Sequence, residues 1–162
     1  MTKSFVLILL LCLCLFSCNK ADLEQLDKKP ESVALNKIMP LGASRVEGAR
    51  PVFESYRYEL WKHLIDGQWD FDYLGTKDDE ANYPTYQSIS FDDDHEGRGG
   101  WTSGQILNGI ETWIEFAGVP DIVLFSSPGG NDALENLPYE AAINNINATI
   151  DVLQSKNPEV TI

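Results

Sequence analysis

Apolar strands separated by amphipathic helices predict an α/β fold, a three-layer α/β/α sandwich around a parallel sheet. Polar, glycine-rich turns follow two of the strands, Gly42 to Gly48 and Pro128 to Asp132, where such sheets carry their sites. The composition agrees, with 43% hydrophobic and 23% charged residues over 162 positions, as in an ordinary globular domain.

Each element has its own signal. Val33 to Leu41 is short and mostly apolar and stops at Gly42, so it reads as a first buried strand. Tyr56, Leu60, Trp61, Leu64 and Ile65 recur at helical spacing and predict an amphipathic helix. Trp69 to Leu74 alternates aromatic residues with Asp and ends at Gly75, a second strand. Lys77 to Arg98 is polar and reads as a long loop. Thr102 and Gln105 form a capping box that opens a helix through Ile106, Ile110 and Trp113. Ile122 to Phe125, after Pro120, is a third strand. Ile143, Ile146, Ile150 and Leu153 mark one face of a last helix, with Pro138 near its start. Val160 to Ile162 reads as the beginning of a fourth strand, at which the sandwich breaks off.

The first residues read as an address. Lys3 precedes an apolar run from Phe5 to Phe16, shorter than the roughly 20 residues that span a bilayer, so residues 1–17 read as a signal peptide. Leu15-Phe16-Ser17-Cys18 resembles a lipobox, in which the cysteine receives a diacylglycerol, the chain is cut before it, and its new amine is acylated. An ordinary secretory signal is the plainer alternative. The expectation is a lipoprotein anchored through Cys18 in a bacterial cell envelope, facing the periplasm or the exterior. Residues 18–32, polar and broken by Pro30, read as a tether, and residues 33–162 as the domain. Charge narrows the partners: 12 basic against 25 acidic residues give a formal −13, which repels phosphate backbones and excludes nucleic acid. Cys12, Cys14 and Cys18 are the chain's three cysteines and exclude a disulfide scaffold.

Three short blocks carry a resemblance. Ile38-Met39-Pro40-Leu41-Gly42-Ala43-Ser44-Arg45-Val46-Glu47-Gly48, then Gly97-Arg98-Gly99-Gly100-Trp101-Thr102, then Gly129-Gly130-Asn131-Asp132 are similar, in order, to the first three blocks of the SGNH (GDSL-like) hydrolases. With Ser55-Tyr56-Arg57-Tyr58 and His95-Glu96-Gly97 they look most like acetylxylan-esterase-type carbohydrate esterases. The resemblance covers Ile38 to Ile162. It implies a flavodoxin-like SGNH fold, serine ester hydrolysis and no metal or organic cofactor. Ser44 would be the nucleophile. The backbone N–H groups of Ser44 and Gly100 and the side-chain amide of Asn131 would form the oxyanion hole. The implied partner is an acylated carbohydrate or other small ester, with acetyl as the leading acyl group.

The chemistry suits those residue types. A serine on a turn after a strand attacks an ester once a base takes its proton. Charge then develops on the carbonyl oxygen, and each fixed donor aimed at it is worth about 10²–10³ in rate. The turn is not a G-x-S-x-G elbow, because Val46 stands in place of the second glycine. Two positions depart from the family pattern, Ala43 for its Asp and Val46 for its Thr. The family's D-x-x-H block, which supplies the base, has no counterpart after the third block, and Asp92 to His95 lies ahead of the second. The chain as it stands is therefore expected to lack its general base.

Plainer roles stand beside these. Ser44 could be a helix N-cap, Gly97, Gly99 and Gly100 turn glycines, and Asn131 and Asp132 an Asx turn. His63 reads as a rim residue of the first helix. His95 reads as a loop residue whose charge is tuned by Asp92, Asp93 and Asp94, and as the one conceivable surrogate base. That acidic run could hold calcium, though solvation is commoner. Trp101 and Tyr86, with Tyr83 and Trp69, could stack on sugar rings or simply pack. A carbohydrate-binding lipoprotein that has lost its base, or the remnant of a disrupted gene, remain the alternatives to an esterase.

Overall fold

The computed structural model describes residues 26–79 and 81–162, and the apolar run with Cys18 lies outside them. In chain order the elements are β1 (Asn36–Gly42), α1 (Ser44–Glu47), α2 (Arg57–Asp66), β2 (Phe71–Tyr73), β3 (Glu96–Gly97), α3 (Ser103–Ala117), β4 (Ile122–Ser126), α4 (Gly130–Leu134) and α5 (Tyr139–Lys156).

All strand pairs are parallel, with β1 at the centre. One of its edges pairs along its length with β4, from Ile38 opposite Ile122 to Gly42 opposite Ser126. The other edge is shared end to end, β2 opposite Asn36 to Ile38 and β3 opposite Leu41 and Gly42. Beside β4, Thr161 forms a single parallel bridge with Ile122, so the residues read as the start of a strand form one bridge and no strand of their own.

Alternation along β1 and β4 builds the three layers. Met39, Leu41 and Val123 face Ile106, Ile110, Trp113 and Ile114 of α3 and Leu153 of α5. Ile38, joined by partly buried Ile122 and Leu124, faces Tyr58, Trp61 and Leu64 of α2. The expected sandwich with its parallel sheet is what forms. Among the described residues no helix is long and apolar enough to cross a membrane.

Several elements differ from the sequence reading. β1 starts at Asn36, because Val33 and Leu35 are exposed before the sheet begins. The buried face of α2 runs through Arg57, Tyr58, Trp61 and Leu64, since an arginine with all its donors paired can go inside. In α5 Leu153 is buried as expected, but Ala142 and Thr149 are buried in place of their neighbours Ile143, which is exposed, and Ile150, which is partly buried. Thr149 tolerates burial by donating its hydroxyl to the carbonyl of Asn145 at 2.9 Å. The end of the expected tether lies against the body: Leu26 packs on the core, and Lys29 bonds the carbonyl of Phe116 and the carboxylate of Asp94.

Candidate active site

β1 ends at Gly42, and the chain turns at once into the single helical turn of α1, which Ser44 opens. The amides of Val46 and Glu47 donate to the carbonyl of Ala43 at 3.0 and 3.1 Å, and that of Gly48 to Ser44 at 2.8 Å. Ala43, at the N-cap, offers no side-chain bond, so the turn is held from its other end. There Ser55 Oγ and Arg57 Nε both donate to the carbonyl of Val46, at 2.7 and 2.8 Å, and Arg57 Nη2 to that of Glu47 at 2.9 Å. Arg57 is wholly buried, and its remaining donors meet the carbonyl of Asp93 and the carboxylate of Asp79.

The second block lies against the first. Gly97 pairs with Gly42, and a Cβ on it would run into the backbone nitrogen of Glu47, so only glycine lets α1 sit there. Arg98 donates its amide to the carbonyl of Gly42 at 2.9 Å. A bond of 3.2 Å from the amide of Trp101 to the carbonyl of Arg98 then closes a turn with Gly100 third, at φ +80°. A positive φ at that place is the mark of a type II turn and favours glycine. The carboxylate of Glu47 packs over Gly99.

The third block is tied to the second through α3 and α4. Asn131 Nδ2 donates to the carbonyl of Trp101 at 2.7 Å. Asp132, buried, accepts from the amide and hydroxyl of Ser103 at 2.7 and 2.6 Å, in the first turn of α3. Thr102 and Gln105 form the expected capping box on that helix. Ser44, Gly100 and Asn131 thus belong to three segments that meet at the carboxyl end of β1.

The other sequence candidates lie elsewhere or do other work. Tyr86 packs on Trp61 and hydrogen-bonds Asp66, at the end of α2 remote from its junction with the Ser44 turn. Trp101 is half-buried, tilted against Trp113 and covered by the guanidinium of Arg98 at 5.2 Å. His63 is exposed on α2, as expected of a rim residue.

His95 departs from expectation. It is not a loop residue bathed in the charge of Asp92 to Asp94; it is buried, with Nδ1 accepting from the amide of Gly97 at 2.8 Å and Nε2 at 3.2 Å from Asp79. An amide can only donate, so the ring proton sits on Nε2. Burial, aided by Arg57 and Lys77, pushes its pKa below the ordinary value against the opposing pull of Asp79. With both nitrogens engaged it is not available to Ser44 as a base. Burial acts on Asp79 in the opposite direction and would raise it, but bonds from His95 and Tyr83 and the charge of Arg57 outweigh it and hold that carboxyl at about 2.

The acidic run is likewise structural. Asp92 accepts from the amide of Tyr73, Asp93 from that of Asp79, and Asp94 pairs with Lys29. Among the described residues no group of ligands could hold a metal ion. Sequence reasoning missed the positioning residues Arg57, Asp79 and Asp132. Ser55 to Tyr58 and Gly129 to Asp132 stand out as blocks, but an arginine or aspartate does not announce that it will be buried.

No family model and no curated protein matches the chain. Solved structures do. An acetyl esterase with acetate ion is 27% identical at a TM-score of 0.66, the match covering 78% of this chain and 59% of that one. A family 3 carbohydrate esterase from Clostridium thermocellum is 34% identical at 0.59, covering 78% and 58%. An SGNH-hydrolase family esterase, 21% identical at 0.55 over 80% and 57%, shares the fold. The chain therefore spans under two thirds of the length of these proteins. Over that span the chain is similar to these acetyl and carbohydrate esterases and shares the fold of the SGNH-hydrolase family esterase.

Proposed function

We propose that these residues supply the nucleophile and oxyanion hole of a lipid-anchored serine esterase that removes acyl groups, acetyl foremost, from carbohydrate outside the cytoplasm. The observation that carries this reading is the junction of the three blocks at the end of β1, where Gly97 packs under the Ser44 turn and Asn131 bonds Trp101.

Ser44 Oγ attacks the ester carbonyl as a base removes its proton, forming a tetrahedral intermediate. The charge on the former carbonyl oxygen is met by the N–H groups of Ser44 and Gly100 and by the Asn131 amide, a donor that cannot titrate away. The sugar hydroxyl leaves with the proton, and water then releases the acyl group from Ser44. Neither histidine among the described residues is placed as that base, because His95 is engaged on both ring nitrogens and His63 is exposed on α2. Cys18 carries the lipid, and the acidic surface suits a neutral polysaccharide.

The test uses the full-length gene product on acetylated xylo-oligosaccharides and a chromogenic acetyl ester. Acetate release that falls at least about 10³-fold in Ser44→Ala is expected. Undiminished release in that variant would overturn the mechanism. The occupied state of His95 favours one second reading, a carbohydrate-binding lipoprotein, whose signature is saccharide binding without acetate release. Labelled fatty acid incorporated by the protein and lost in Cys18→Ser would support the anchor.

A further inference from the structure

We propose that His95, oriented by Asp79, is the positioning residue of the oxyanion loop: its Nδ1 takes the N–H of Gly97 and so sets where the N–H of Gly100 points. The inference rests on the esterase reading for the role of Gly100. Its geometry is that of the loop itself.

Gly97 is the last residue of the second block that still belongs to the sheet, and everything from Arg98 to Trp101 hangs from it. Its carbon faces the backbone of Glu47 and its strand pairs with Gly42, so translation toward α1 or β1 is blocked. The two peptide planes around it are each held by one bond: its own N–H goes to His95 Nδ1 at 2.8 Å, and that of Arg98 to the carbonyl of Gly42 at 2.9 Å. Three residues on, Gly100 stands at the third place of a turn whose internal bond uses the amide of Trp101. The N–H of Gly100 is not used by that closing bond, so its direction follows from the planes that lead into the turn, the first of which His95 holds.

The imidazole is itself held from every side. Its backbone exchanges two hydrogen bonds with Lys77, and Gly75 packs so closely on it that a Cβ there would clash. Nε2 points at Asp79, which also receives Arg57 and the hydroxyl of Tyr83. Asp79, Arg57, Lys77 and Glu96, its neighbour in the chain, are thus the charged groups around the ring. Only the tautomer with its proton on Nε2 satisfies both Asp79 and Gly97, and a proton on both nitrogens would set two donors against each other at Gly97.

Two substitutions separate positioning from bulk. His95→Asn keeps an acceptor near the place of Nδ1 and loses Asp79, whereas His95→Gln keeps a donor toward Asp79 and loses the acceptor for Gly97. Amide exchange of Gly97 and Gly100 in the whole protein should stay within about threefold of wild type in the Asn variant and rise about tenfold or more in the Gln variant. For ester hydrolysis, the Gln variant should lose about tenfold in kcat with KM nearly unchanged, and the Asn variant should retain most of it. Equal effects in the two variants, or the reverse order, would overturn the proposal. Should neither variant fold, nitrogen spectra of the wild-type ring decide: a bare Nδ1 and protonated Nε2 are expected, and a protonated Nδ1 would overturn it. The expected exchange order in a protein without ester hydrolysis would uphold the positioning of the loop and sink the esterase reading.

Discussion

The side-chain amide of Asn131 donates to the carbonyl oxygen of Trp101 at 2.7 Å, and that bond spends one of its two N–H groups on orientation. In the proposed esterase the second N–H would meet the developing charge, with the amide plane held by that bond. Asn131→Ala should lower ester hydrolysis by about 10²–10³. Unfolding should move by no more than about 1 kcal/mol, since the amide is half-buried. Steady-state kinetics beside a denaturant titration would show the split.

Asp132 does the opposite kind of work. It is 3% exposed and accepts two short bonds from Ser103. Asp132→Ala would leave the buried amide of Ser103 without an acceptor and its hydroxyl with only the bond it receives from Asn145, and should cost about 2–3 kcal/mol in denaturant unfolding. A loss of activity with unchanged stability would contradict this role.

Gly97 and Gly100 should respond differently to alanine. At Gly97 the added methyl meets the backbone of Glu47, which cannot yield, so the variant should lose about 2–3 kcal/mol and most activity. At Gly100 there is open space and the backbone N–H survives; the cost is the left-handed φ, about 1 kcal/mol. Gly100→Ala should therefore keep activity within about tenfold, as thermal melts and ester kinetics on both variants can check.

How much of this could be read from the residues alone depends on whether a signal is local. The capping box at Thr102, the three apolar strands and the three blocks are local patterns, and each is found where its pattern lies. β3 is not legible: two residues, Glu96 and Gly97, become a strand because β2 is short and leaves the edge of β1 open beside Leu41 and Gly42. The buried face of α2 takes in Arg57 beside the expected Trp61 and Leu64 for a similar reason. Arg57 goes inside because Val46, Glu47, Asp79 and Asp93, distant in sequence, converge on it. His95 followed an acidic run in sequence, yet in space its partner is Asp79.

Carboxyl groups give the fold a pH dependence of two signs. Asp79, held at about 2, contributes stability that is present above its unfolded value and lost as the pH falls toward 2, roughly 2 kcal/mol in all. Burial, reinforced by Asp72 and Asp94, pushes Asp92 up to about 7 in spite of its bond from Tyr73. A raised carboxyl works the other way: its contribution is full below the unfolded value and fades as the pH rises through 7. Asp92→Asn keeps the acceptor and removes the charge. It should be more stable than wild type by about 1–2 kcal/mol at pH 8 and no more stable at pH 4. Parallel denaturant titrations at the two pH values would expose the crossover.

The most direct test of the account is to trap the acyl group. The whole protein is mixed with an acetyl ester, quenched within one turnover, and its peptides are weighed. The account predicts one added acetyl on the peptide that carries Ser44, absent in Ser44→Ala. Acetate released at the wild-type rate by Ser44→Ala, or an acetyl group found on another residue, would contradict it.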